Sequence, residues 1–309
     1  MTKVFAPADI QGIVPPLVTP FTADGEVDEQ ALRATTRFMM KQGVHGLVAG
    51  GSSGEGYTLG LDELQRITAV AAEEINGTMP LVTGIIANST RDAIRRAKAL
   101  RGMGVSALQI TPAHYIYKSD DDSMIQHFRE ITDAVDIPVL IYNVIPWNYM
   151  TPALLLRIMR EVPGVVGVKQ SAGDLKSLAD LLIGARPEDR IFAAVDSLLY
   201  PCMSLGAHGV ISMLTSAVPS ATVELWNAVK RGDHVFALDL HNRLLRLWNA
   251  IYADNRVALA KFTLSLQGVP TGHTLRPIPS ATAAQQAAIR KALADVLPQA
   301  QMLKAASSF

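Results

Sequence analysis

Short apolar runs alternate with helix-length amphipathic segments along most of this chain, and that alternation limits the fold more than any other feature. The runs cover 13–18, 45–49, 80–85, 107–111, 138–142, 165–169, 191–194 and 209–212, eight in all. Between them the spacing is helical. In 61–75, Leu61, Leu64, Ile67, Val70, Ala71 and Ile75 recur at helical intervals. In 89–101, Ser89 followed by Asp92 has the form of a helix start, and Ile94, Ala97 and Leu100 supply the stripe. Strands alternating with helices imply parallel βαβ units. Nearly continuous apolar strands suit a parallel sheet covered on both faces.

Eight such units within about 215 residues match a (β/α)8 (TIM) barrel, an α/β fold. A doubly wound open sheet is the alternative, but it normally carries a Gly-rich nucleotide fingerprint that this sequence lacks. After about residue 217 the pattern becomes helical, near 219–231, 234–253, 255–266 and 281–303. The expected organisation is 1–217 for the barrel strands and most helices. Residues 218–309 then form the last barrel helix and a C-terminal helical extension of the same unit. The stretch 268–280 holds three prolines and two glycines and reads as a loop.

Composition removes several functional classes. Lys plus Arg and Asp plus Glu both number 28, so the chain has no cationic footprint for nucleic acid or an anionic membrane. Its hydrophobic fraction is 49%, which points to a large core and an apolar oligomer interface. The lone Cys202 allows no internal disulfide. The start has no apolar signal-peptide region, and no run reads as a membrane span, so the expected location is cytoplasmic. The seven histidines show no metal-ligand spacing, and no metal is expected.

In a barrel, catalytic residues sit at the C-terminal ends of the strands. The sixth run ends Val165-Val166-Gly167-Val168-Lys169. An amine at the end of a buried strand would be desolvated and partly neutral, as Schiff-base chemistry requires. A lysine that leaves the strand for water is the plain alternative. The fifth run ends in Tyr142, which can relay protons or simply pack in the core. The second is followed by residues 50–56, with four glycines and two serines in seven positions. Such a loop can nest a carboxylate with backbone N–H groups and hydroxyls, or it can be an ordinary turn. The fourth run ends Thr111-Pro112-Ala113-His114-Tyr115. Ala194 and Asp196 end the seventh and Ser212 the eighth. Asp120-Asp121-Asp122 reads as a helix N-terminal cluster and Cys202 as core.

Together these segments resemble the dihydrodipicolinate synthase/N-acetylneuraminate lyase superfamily of class I Schiff-base aldolases. Gly51-Ser52-Ser53-Gly54-Glu55 resembles its G-[ST]-[ST]-G-E loop. Tyr142-Asn143 resembles its strand-five Y-N pair, and Gly167-Val168-Lys169-Gln170-Ser171 its G-[IV]-K-[ED]-[AS] motif. Residues 205–212 resemble its strand-eight segment. Order and spacing agree over about residues 10–300, and the set is specific although each motif is modest alone. The resemblance implies a barrel with C-terminal helices, no cofactor or metal, and a homotetramer built as a dimer of dimers.

It also implies roles. Lys169 would attack the ketone of pyruvate or another 2-oxo acid. Tyr142 would shuttle protons, and Ser53 would link it to a third group. Gly51, Ser52 and Ser53 would hold the carboxylate, with Ala194 and Ile211 lining the site. His114 stands where many members carry a tyrosine lent by a neighbouring subunit, with Tyr115 next. Residues 144–149 lack the arginine with which dihydrodipicolinate synthases clamp aspartate semialdehyde, and a lost bidentate clamp is no conservative change. Trp147 and Asn148 suggest an apolar or hydroxylated aldehyde acceptor instead. The expected activity is a lyase or aldolase paralogous to the lysine-biosynthetic enzyme. That synthase, a sugar-acid dehydratase and a non-catalytic 2-oxo acid binder are the alternatives.

Overall fold

The computed structural model describes residues 3–297. Eight strands lie in one parallel sheet: β1 Gly12–Ile13, β2 Leu47–Ala49, β3 Leu81–Ile85, β4 Ala107–Ile110, β5 Val139–Asn143, β6 Val165–Gln170, β7 Arg190–Ala193 and β8 Gly209–Val210. Neighbours run in the order β1-β8-β7-β6-β5-β4-β3-β2. That sequential order, with the first strand beside the last, is a curled TIM-like arrangement and not a doubly wound one. Between β1 and β2 there is no regular ladder. His45 N donates to Ile13 O at 2.8 Å, Val48 N to Pro15 O at 2.9 Å, and Leu17 N to Val48 O at 2.8 Å. These bonds carry the curl across the gap. The first apolar run therefore yields a strand of only two residues. Pro15 and Pro16 have no N–H to continue the ladder, although Leu17 and Val18 remain buried.

The helices are α1 Glu29–Lys41, α2 Leu61–Ile75, α3 Thr90–Ala99, α4 Asp121–Ala134, α5 Pro152–Glu161, α6 Leu175–Gly184, α7 Leu199–Ser204, α8 Met213–Ala217, α9 Pro219–Lys230, α10 His234–Ile251, α11 Arg256–Ser265 and α12 Ala283–Ala294. Sequence signals explain their starts. The Ser89 side chain accepts from Asp92 N ahead of α3, and that of Asp120 from Ser123 N ahead of α4. The buried side of α2 contains Leu64, Ile67, Val70, Ala71 and Ile75, the stripe expected from spacing, while Leu61 is only partly covered. After α8 the chain is helical to α12, apart from the loop at 268–280. The expected helix 281–303 runs partly beyond the described residues.

Strand side chains alternate between two cores. Val48, Val82, Ala107, Leu140, Phe192 and Ile211 point inward and form one cluster with Ile10 and Val14. Leu47, Leu81, Leu108, Val139, Val168 and Ile191 point outward into the layer shared with the helices. Both faces are apolar, which is why the runs read as continuous. Cys202 lies in the outer layer, where burial pushes its thiol up to about 12.

Candidate active site

The C-terminal ends of β5 and β6 bring the two principal residues together. Tyr142 pairs with Lys169 in the ladder, and Lys169 pairs with Phe192 of β7. Leu140 and Phe192 belong to the inner cluster, so this register turns Tyr142 and Lys169 inward above it. Lys169 is 3% exposed, and its Nζ lies 3.8 Å from the centre of the Tyr142 ring. Among the described residues no carboxylate lies within ion-pair distance of that nitrogen. Burial pushes the amine below the ordinary lysine range, against the opposing pull of Tyr142 and of Asp196.

The serine loop approaches from β2. Gly50 has φ +67°, a conformation that disfavours a side chain. A Cβ on Gly56 would come within 1.9 Å of Gly50 O. Gly51 O accepts from both Gly54 N and Gly56 N, which closes a tight turn. Ser52 Oγ lies 3.2 Å from Tyr142 Oη. Ser53 is buried beside it, but no hydrogen bond joins its hydroxyl to Tyr142. The link expected of Ser53 is thus made by Ser52. The 3-10 turn over Ser52–Gly54 rotates consecutive side chains apart, and run-of-sequence reasoning cannot say which hydroxyl faces the phenol.

Three charged groups beneath the loops have no role that the sequence alone assigns. Asp196, at the end of β7, is buried and accepts from Leu214 N at 2.6 Å and Met213 N at 3.3 Å, at the start of α8. Burial pushes its carboxyl up to about 6, although those N–H groups, Ser212 and Lys169 all pull it down. Glu55, fully buried with φ +56°, receives Lys261 Nζ at 2.6 Å on one oxygen and Leu275 N at 2.8 Å on the other. Lys261 Nζ also donates to His273 O at 2.5 Å. Burial lowers the Lys261 pKa, and Glu55 opposes the shift. The C-terminal helices thereby fasten the serine loop. A lysine within Val257-Ala258-Leu259-Ala260-Lys261-Phe262 was the available signal.

The remaining expected residues divide between lining and scaffolding. Ile211 belongs to the inner cluster, and Ala194 is half-buried beyond β7. Within its own chain, His114 Nδ1 lies 3.1 Å from Pro112 O. Tyr115 is 70% exposed. Trp147 and Asn148 act as ties between loops. Trp147 Nε1 donates to His114 O at 2.9 Å, and the buried Asn148 Nδ2 donates to Ala113 O at 2.8 Å. One Asn148 amide N–H is therefore occupied within the protein. Asn143 clamps the same loop, donating to Met150 O and accepting from Met150 N, each at 3.0 Å. Among the described residues no three His, Cys, Asp or Glu side chains gather as a metal site, and no helix is long and apolar enough to cross a membrane.

Comparison with known proteins adds the family. The model of the dihydrodipicolinate synthetase family matches residues 9–296. The 4-hydroxy-tetrahydrodipicolinate synthase of Symbiobacterium thermophilum is 34% identical over 281 residues, covering 90% of this chain and 95% of the relative. The enzyme of the same name from Methanopyrus kandleri is 32% identical over 289 residues, covering 92% and 95%. Among solved structures, YagE is described as a prophage protein of the dihydrodipicolinic acid synthase family from E. coli K12, in complex with pyruvate. It superposes with a TM-score of 0.88 at 26% identity, covering 93% of this chain and 98% of that one. The relatives are synthases, enzymes of lyase type. The chain belongs to the dihydrodipicolinate synthetase family and is a lyase-type enzyme.

Proposed function

We propose that this protein forms a Schiff base between Lys169 and pyruvate or a related 2-oxo acid, and makes or breaks a carbon–carbon bond at the carbon next to the imine. The observation that carries the reading is the buried Lys169 amine. It has no carboxylate partner among the described residues, its proton affinity is lowered, and it lies against Tyr142. A charged lysine kept for structure would need a counter-ion at that depth.

The chemistry follows from these groups. The neutral amine adds to the ketone carbon, and the new C–N bond gives a carbinolamine. Tyr142 protonates the departing hydroxyl, water leaves, and an iminium forms. The iminium accepts the electron pair released when the C3–C4 bond breaks, while Tyr142 removes the proton from the C4 hydroxyl. The reverse sequence is condensation. Ser52 hydrogen-bonds the Tyr142 oxygen and steadies whichever protonation state it holds. The backbone of the turn from Gly51, with its hydroxyls, is suited to the 2-oxo acid carboxylate.

The acceptor is the finer question. Residues 144–149 carry no cation, which favours an apolar or hydroxylated aldehyde over aspartate semialdehyde. The names of the relatives favour 4-hydroxy-tetrahydrodipicolinate synthesis. A panel of 2-oxo-3-deoxy and 4-hydroxy-2-oxo acids, read as pyruvate release or substrate loss, is expected to contain a substrate. Efficient condensation of pyruvate with aspartate semialdehyde, with no turnover of the panel, would assign the biosynthetic reaction instead. Tyr115, Ile116, Tyr117 and Trp147 are all more than half exposed on neighbouring loops. That apolar rim supports self-association into the expected tetramer, which sedimentation velocity would measure.

A further inference from the structure

One polar side chain of the inner core is not used by the chemistry above. Gln109 sits in β4 between Leu108 and Ile110 and is completely buried. Its register partners are Gly84 on β3 and Leu140 on β5, so it faces inward, one layer below Tyr142 and Lys169. Neither its Nε2 nor its Oε1 has a hydrogen-bond partner among the described residues. The Thr111 hydroxyl, two residues on along the same inner face, has none either. Around them the apolar inner wall includes Val48, Val82, Ala107, Leu140 and Phe192, which offer nothing to an amide.

The direction of the side chain is informative. Gly84 lies between Gln109 and β2 and can carry no side chain, because a Cβ there would be 2.5 Å from Gly50 O. The space this opens lets Gln109 reach toward the serine turn. A methyl on Gly51 would lie 4.0 Å from Gln109 Nε2. The amide is thus directly beneath the turn that presents Ser52 to Tyr142. Burying an amide without partners is costly, and an apolar residue of the same length would suit the wall better. A polar group kept at such a cost beside a reactive centre marks a place where a ligand supplies the partner.

We propose that Gln109 is a substrate-binding residue. Its amide forms the floor of the 2-oxo acid pocket and donates from Nε2 to the carboxylate that the turn from Gly51 holds from the side. The inference rests on the Schiff-base reading and deepens it. Gln109 takes no part in proton transfer, so its loss weakens binding of the 2-oxo acid and spares the turnover of bound substrate.

The test uses Gln109→Met, which keeps the length and shape and removes the hydrogen bonds, with Gln109→Leu as a second variant should the first fail to fold. The concentration of pyruvate giving half-maximal borohydride trapping is measured alongside the thermal midpoint. The expected result is a rise in that concentration of about tenfold or more, as for a lost hydrogen bond to a charged group. The trapping rate at saturation stays within threefold of the parent, and the thermal midpoint is unchanged or higher. An unchanged half-maximal concentration in a variant of a protein that traps pyruvate overturns the role of Gln109 alone. Weaker trapping together with a lower thermal midpoint overturns it too, because it assigns the amide to the scaffold. Failure of the parent protein to trap pyruvate removes the Schiff-base reading and this inference together.

Discussion

Replacing Lys261 by methionine strands the Glu55 carboxylate under the serine loop. Glu55 has no exposed surface and Lys261 is 3% exposed, so water cannot take over the lost partner. The backbone N–H of Leu275 remains on one oxygen. Removing one member of a buried ion pair costs about 3–5 kcal/mol. The expected loss is of that size, or roughly 5–8 °C in thermal midpoint for a domain of this size. Differential scanning calorimetry, with Glu55→Gln/Lys261→Met as the neutral control, provides the assay. The double variant is expected to recover about half of the loss or more. A midpoint for Lys261→Met within about 2 °C of the parent would refute the reasoning.

Asp196 gives a pH dependence of known sign. Its folded pKa of about 6 stands above the ordinary aspartate value, so its ionisation opposes folding increasingly as pH rises through 6. Asp196→Asn should gain on the parent by up to about 2 kcal/mol between pH 4.5 and 7.5, and a parallel pair of thermal-midpoint curves would contradict this. Ser52→Ala should lower kcat about tenfold by removing the Tyr142 hydrogen bond, and Ser53→Ala should lower it less; steady-state rates on any substrate found will separate the two. Asn148→Ala should cost about 1–3 kcal/mol by leaving Ala113 O unpaired, measured by urea unfolding, with no change in the ranking of acceptors.

Much of this architecture is legible in the sequence because periodicity and burial have the same cause. Each apolar run is a strand covered on both faces, and the stripe of α2 is the side turned to the sheet. Tyr142 and Lys169 can be read from strand ends, since parallel register brings such ends to one layer. What escapes is set by local rotation or by distance along the chain. Pro15 and Pro16 shorten β1, and a 3-10 turn gives Ser52 the contact expected of Ser53. Asn148 has a motif position that points to chemistry, yet its side-chain amide is tied to the Ala113 carbonyl of the neighbouring loop. Glu55 and Lys261 lie 206 positions apart, and no local pattern pairs them. Gln109 carried a visible signal, a polar residue inside an apolar strand, whose meaning depends on the bare Gly84 beside it.

The central claim is that Lys169 is the amine that captures the 2-oxo acid. Incubation with pyruvate and borohydride, followed by peptide mass spectrometry, tests it most directly. The account predicts one reduced pyruvate adduct on the peptide containing Lys169, and none on Lys261 or in Lys169→Ala. An adduct on another lysine, or turnover of a 2-oxo acid with no adduct at all, would contradict it.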